Sequence, residues 1–200
     1  MRLFALLTAR LCHELIGPAA AVENGLELIA DGDPDFIAEA LALVGDSARR
    51  TTARLQFYRF AYGFAGEEPA AGPSPGDLAA RYFASEKIAC RYREGVRALP
   101  LAWQKLGCNL LLVGAAALPR GGQLTLDAAA GDLWLEATGE SIALSGEEAA
   151  SLALGMPVNA LTPRTVQAYF AGLLAQAQGA RLIARAARAE LRIRSEPSPA

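Results

Sequence analysis

His13 is the only histidine in the chain, so any chemistry that needs an imidazole must use it. An imidazole is a nucleophile and base near neutrality, its ordinary pKa being about 6.5. No second histidine or paired cysteine stands at helical ligand spacing from it, which speaks against a metal site. Cys12 is adjacent, but consecutive residues on a helix face different ways. Cys12, Cys90 and Cys108 form neither a CxxC pair nor a disulfide framework, as expected of a chain in a reducing cytosol.

The element that must position His13 is a helix over residues 3–30. Leu7, Leu11, Leu15, Val22, Leu26 and Ile29 recur at helical spacing. Projected at about 100° per residue, they form a stripe roughly 100° wide, and His13 lies about 180° from its centre. The ring is therefore expected to face solvent, where a Ser-His-Asp or Cys-His hydrolase would lack its cleft. Small residues collar it on that face: Ala9, Gly17 and Ala20, with Asn24 beyond. Leu6 and Ile16 flank the face and can form an apolar docking patch. An ordinary surface histidine is the alternative at this point.

Asp31-Gly32-Asp33-Pro34-Asp35 breaks the chain with turn, cap and first-position signals for a second helix, expected from about Asp35 to Tyr62. Ile37, Leu41, Val44, Ala48, Thr51, Leu55, Tyr58 and Tyr62 step by fours and threes, a heptad seam. The two helices must be antiparallel neighbours. One hairpin cannot cover both its apolar stripes, and two copies in a four-helix bundle would. Arg49, Arg50, Arg54 and Arg59 form a basic face on the second helix, expected to be mostly solvated.

The expected domains are a helical hairpin at 1–64, a proline- and glycine-rich linker at 65–76, an α/β domain at 77–194 and a disordered tail at 195–200. The α/β domain reads as a strand at 87–92, a buried helix at 103–118, a hairpin of strands at 123–128 and 133–138, a helix at 163–178 capped by Thr162, and strands at 181–186 and 189–194. Trp103 and Trp134 are expected in its core. Apolar residues make up 52% of the chain, enough to exclude wholesale disorder. With 19 basic against 21 acidic residues there is no basic excess to suit a nucleic acid. Arg10, His13 and Glu14 interrupt the apolar N-terminus, and Leu110–Leu118 is far short of the ~20 residues that span a bilayer. The expectation is a cytoplasmic protein with neither membrane nor nucleic acid among its partners.

The stretch Leu11-Cys12-His13-Glu14-Leu15-Ile16-Gly17-Pro18 resembles the phosphoacceptor motif of sensor histidine kinases, in which His-Glu-Leu is followed two residues later by Pro. The order of hairpin then α/β domain is also the kinase order. The nucleotide motifs depart from it. Asn109-Leu110-Leu111-Leu112-Val113-Gly114 puts valine where kinases carry the second, Mg²⁺-holding asparagine. Ala137-Thr138-Gly139-Glu140-Ser141 lacks the adenine-binding aspartate at Ala137 and the last glycine at Ser141. A kinase-like hairpin with a degenerate catalytic domain resembles the ChpT family of alphaproteobacterial phosphotransferases, which Leu161-Thr162-Pro163-Arg164-Thr165-Val166-Gln167-Ala168-Tyr169 also resembles.

The resemblance implies an α+β fold: a dimeric four-helix bundle followed by a degenerate kinase-like α/β domain. It implies a histidine phosphotransferase that relays a phosphoryl group between receiver-domain aspartates through His13. The partners implied are a second copy, the receiver of a hybrid kinase (CckA-like), and CtrA-like and CpdR-like response regulators. No cofactor would be bound by the chain itself, the receiver bringing Mg²⁺. Glu14 would hydrogen-bond the second ring nitrogen of His13, and Arg10, one turn earlier, would meet a phosphoryl group or an acidic receiver edge. Pro18 should free the Glu14 carbonyl. An active ATP-dependent kinase fragment and a non-catalytic dimeric scaffold remain the rival readings.

Overall fold

The computed structural model describes residues 1–32, 34–63 and 72–198, with only the backbone of Pro34 and Asp35. Helices α1 (Arg2–Ala30) and α2 (Pro34–Tyr62) form the hairpin, as the apolar spacing requires. They pack tightly at Gly25, the buried residue of α1. A Cβ there would meet Val44 Cγ2 at 2.5 Å and the Ala40 carbonyl at 3.3 Å. The heptad seam is split within the protomer. Ile37, Val44 and Thr51 are half-buried and Tyr58 is buried, while Leu41, Ala48 and Leu55 are exposed. On α1, Leu7, Leu11, Leu15, Val22 and Ile29 are half-buried and Leu26 is exposed. By length and composition α1 could cross a membrane, although Arg10 and Glu14 form an ion pair within it.

The second part runs α3 (Pro75–Phe83), β1 (Ile88–Tyr92), α4 (Glu94–Arg97), α5 (Leu101–Ala116), β2 (Gly122–Ala129), β3 (Asp132–Thr138), α6 (Gly146–Leu152), a 3₁₀ turn (Val158–Ala160), α7 (Val166–Ala177), β4 (Ala180–Ala186) and β5 (Glu190–Pro197). The five strands lie in the order β1-β2-β3-β5-β4, with β1 and β2 parallel and the other neighbours antiparallel. Alternate residues Leu124, Leu126, Leu133, Leu135, Leu191 and Ile193 are fully buried and share a core with α5, the most completely buried helix. The fold class is α+β, as expected.

Several boundaries move. Residues 64–71 of the expected linker lie outside the described residues, but its last two residues already belong to α3. Ser74 caps that helix in a reciprocal box with Asp77, at 3.2 Å and 3.2 Å. The expected disordered tail is corrected at its start. Ser195–Pro197 extends β5, and the buried Ser195 hydroxyl accepts from the Leu133 N–H at 2.9 Å. Thr162 does take part in a cap, its hydroxyl accepting from the Thr165 N–H at 3.3 Å, yet the regular helix begins only at Val166.

Trp134 is not core. Strand alternation sends Leu133 and Leu135 to the helix-covered face and Trp134 to the other, where it lines an open hollow with Ile183 and Arg192. Trp103 is half-buried against the core.

The Gly25 crossing yields a stability prediction. Val44 is β-branched on a helix and strongly prefers one rotamer, so it cannot swing clear of an added methyl group. Gly25→Ala is expected to lower the unfolding free energy by about 1–3 kcal/mol, read from urea denaturation.

Candidate functional site

His13 stands on the exposed side of α1, as the projection required. Ala9, Gly17 and Ala20 are exposed beside it, and a Cβ added at Gly17 would meet nothing within 4 Å. Ile16 is 65% exposed. Leu6 is a correction: it is half-buried, so the apolar patch beside the ring rests on Ile16.

Glu14 and Arg10 are corrected more sharply. Glu14 follows His13 by one residue and so points about 100° away around the helix. Its Oε1 pairs with Arg10 Nη2 at 2.9 Å and its Oε2 accepts from the Tyr58 hydroxyl at 2.6 Å. Both carboxylate oxygens are thus turned to the junction between hairpin and α/β domain, away from the imidazole. The Arg10 side chain is only 18% exposed in its pair with Glu14, so it is no free cation at the surface.

The carbonyl that Pro18 frees finds a donor. Proline at position 18 has no N–H for the Glu14 carbonyl four residues earlier. Arg54 Nη1 takes that place at 2.6 Å, while Arg54 Nη2 pairs with Glu86 Oε1 at 2.8 Å. The guanidinium carbon also lies 5.9 Å from the centroid of the Tyr82 ring. Burial works against the Arg54 charge, but the bond to Glu86 and the neighbouring tyrosines outweigh it and raise its pKa above the ordinary arginine value. The expectation of a solvated Arg54 is therefore wrong.

A tyrosine cluster completes the junction. Tyr58 and Tyr82 hydroxyls are 3.1 Å apart. Since the Tyr58 proton goes to Glu14, Tyr82 donates to Tyr58. Burial, reinforced by the Glu14 carboxylate, pushes the Tyr82 phenol up to about 12. Burial raises Tyr58 further, helped by Tyr82 and Glu14. The heptad spacing marked Tyr58 only as a seam position and nothing marked Tyr82 or Glu86; only Pro18 signalled that the Glu14 carbonyl would need a partner.

One helical turn further along α2, Asn109 holds the domain to the hairpin. Asn109 is fully buried, its Nδ2 donating to the Ala61 carbonyl at 2.8 Å and the Lys105 carbonyl at 2.9 Å. Its Oδ1 accepts from Gln167 Nε2 at 2.9 Å, and Gln167 Oε1 accepts from the Tyr62 hydroxyl. Val113 and Ala137 are buried apolar residues. The Asn109 amide already has three protein partners, Val113 offers no oxygen and Ala137 no carboxylate. These residues do not fit a magnesium nucleotide.

Residues 76–190 match the family model described as "Histidine phosphotransferase C-terminal domain". The chain belongs to the histidine phosphotransferase family. A curated relative, "Protein phosphotransferase ChpT" of Brucella abortus (strain 2308), is 45% identical over 128 residues, 61% of this chain. That match spans 58% of the relative's length. A solved structure titled "1.7 Angstrom Structure of a Bacterial Phosphotransferase" is 32% identical with a TM-score of 0.80, covering 97% of this chain and 95% of its own. In this histidine phosphotransferase the family match takes in α3 to β5, whereas His13 lies on the hairpin before it.

Two outcomes test the junction. Unfolded tyrosines ionise near 10, while Tyr82 keeps its proton to about 12. Between those values the unfolded state binds fewer protons, so the unfolding free energy falls as pH rises. The contribution is complete below about pH 10 and lost towards 12. Urea midpoints from pH 8 to 11.5 should decline less steeply in Tyr82→Phe than in the parent. Asn109→Leu leaves the Gln167 Nε2 donor and the Ala61 carbonyl without their Asn109 partner and should cost roughly 2–4 kcal/mol in the same assay.

Proposed function

We propose that this chain is a phosphorelay carrier: His13 accepts a phosphoryl group from the aspartyl phosphate of one receiver domain and returns it to the aspartate of another. The observation that carries this reading is one exposed imidazole on a helix whose neighbouring positions are small, in a member of the histidine phosphotransferase family. A collar of Ala9, Gly17 and Ala20 leaves room for the backbone of a visiting protein.

The chemistry asks little of the chain. Phosphoryl transfer depends mainly on in-line positioning and charge neutralisation. The receiver would bring Mg²⁺ and a lysine, and this chain brings the nucleophile. Its helix is held from behind: the Arg54 bond to the Glu14 carbonyl and the Tyr58 bond to the Glu14 carboxylate fix the turn that carries His13. Glu14 acts here as a positioning residue for that turn. Since the Asn109, Val113 and Ala137 positions do not fit a magnesium nucleotide, the phosphoryl group would come from a protein donor and not from ATP. The donor is read as the receiver of a hybrid kinase (CckA-like) and the acceptors as CtrA-like and CpdR-like regulators.

The reading includes a homodimer. Leu26 (54% exposed), Phe36 (54%), Leu41 (56%) and Leu55 (50%) are large apolar side chains left open on the hairpin. A second hairpin packed against them would complete a four-helix bundle and return the split heptad seam to a core. Such a carrier would work in the cytosol, where receivers reside.

A time course with a radiolabelled, phosphorylated receiver tests the reading. Label should move to the parent protein within minutes and fall below detection in His13→Ala. Relay that persists in His13→Ala would leave only a scaffold. Robust labelling by ATP and Mg²⁺ alone would instead make the chain a kinase.

A further inference from the structure

His13 does not stand on a flat surface. It lines an open hollow of about 700 Å³ between α1 and α2, with Glu14, Pro18, Ser47, Arg50 and Arg54. Arg50 and Arg54 both line that space, and their commitments differ. The terminal nitrogens of Arg54 are taken by the Glu14 carbonyl and the Glu86 carboxylate. Arg50 is exposed, and its single hydrogen bond among the described residues is to the Ser85 carbonyl at 3.5 Å, the outer limit for such a bond. It has no carboxylate partner among those residues, whereas its neighbours Arg49 and Arg54 pair with Asp46 and Glu86. A guanidinium carries five donors in a planar fork, so Arg50 keeps most of them free.

Resting on the carrier reading, we propose that Arg50 is the chain's own phosphoryl-binding cation, meeting the group on His13 as it arrives and leaves. The lone pair of an imidazole nitrogen forms the N–P bond as the O–P bond of the aspartyl phosphate breaks. The aspartate departs as a carboxylate with that bond's electron pair, and the proton on the other ring nitrogen stays. No further reactant is needed. The phosphoryl oxygens then lie in a hollow that also holds the Glu14 residue and, on α2, Asp46. Both carboxylates are already paired, Glu14 with Arg10 and Asp46 with Arg49, and Arg54 is paired with Glu86, so among the described residues the uncommitted charge of the hollow is the Arg50 guanidinium. An arginine fork matches phosphoryl oxygens in charge and geometry, and a contact that follows the phosphoryl group from one protein to the other stabilises transfer in both directions. Arg54 serves by holding the helix, Arg50 by meeting the charge.

The test separates contact with the phosphoryl group from docking of the receiver. Phosphoramidate, a small donor that labels histidine without any receiver, is incubated with the parent, Arg50→Ala, Arg50→Lys, Arg49→Ala and His13→Ala. The acid-labile N–P product is followed by ³¹P NMR. The same variants are charged by a phosphorylated receiver domain, with receiver affinity measured alongside. Arg50→Ala is expected to slow labelling at least tenfold with both donors while receiver affinity stays within twofold. Arg50→Lys should recover part of the rate and Arg49→Ala should match the parent. Circular dichroism and urea midpoints equal to the parent's establish that this exposed substitution leaves the fold intact. If His13→Ala is blank and Arg50→Ala labels with phosphoramidate as fast as the parent, the assignment of Arg50 is overturned and the carrier reading stands. If labelling persists in His13→Ala, or neither donor labels the parent, the carrier reading falls and Arg50 with it.

Discussion

One guanidinium ties the two parts of the molecule together. Arg54 rises from α2, donates to the backbone carbonyl that Pro18 leaves open on α1, and pairs with Glu86 after α3. An unpaired carbonyl inside a helix is a cost, and so is a half-buried arginine without a counter-charge; the guanidinium removes the first and Glu86 the second. Because the bond lands on the peptide of Glu14, it grips the turn that carries His13. A proline that looks like a helix breaker thereby becomes the receptor for a cross-link.

The tyrosine cluster and the Asn109 network extend that clasp along α2. Glu14, Tyr58 and Tyr82 form one chain of hydrogen bonds at the level of His13. Tyr62, Gln167 and Asn109 form another one helical turn further on. Buried polar chains of this kind are favourable only when every member is satisfied, and they then fix one arrangement of the packed elements. Asn109 is thus a fastener between hairpin and domain. That gives the α/β domain a physical role: it is the abutment against which the helix of His13 is held.

Much of this was legible beforehand where local rules suffice. The outward placement of His13 follows from its position opposite the Leu7–Ile29 stripe, and the two long helices follow from their apolar spacing and the Gly32–Pro34 break. The strand alternation in Leu133-Trp134-Leu135 also contained the answer on Trp134, and reading tryptophan as core overrode it. α3 was hidden because its start lay in a run of prolines and glycines, although Ser74 and Asp77 already spelled a capping box. The roles of Arg10, Glu14 and Arg54 were misread for a different reason. Each is a charged residue on a long helix, and local sequence does not say which face of such a helix another element will cover.

The sequence by itself determined which helix carries the histidine, which way the ring faces, that a helical carbonyl would be left open at Glu14, and that positions 113 and 137 are the apolar residues Val113 and Ala137. These are properties of helical period, of proline's missing N–H and of side-chain type, all of which act within a few residues. Only the tertiary structure decided which donor fills the open carbonyl, which carboxylate meets which arginine, and that Arg50 lines the hollow with His13 without a carboxylate partner among the described residues. Those outcomes depend on residues some 30 to 40 positions apart meeting across α1, α2 and α3, and hydrogen-bond partners over that separation are chosen by packing, not by spacing along the chain.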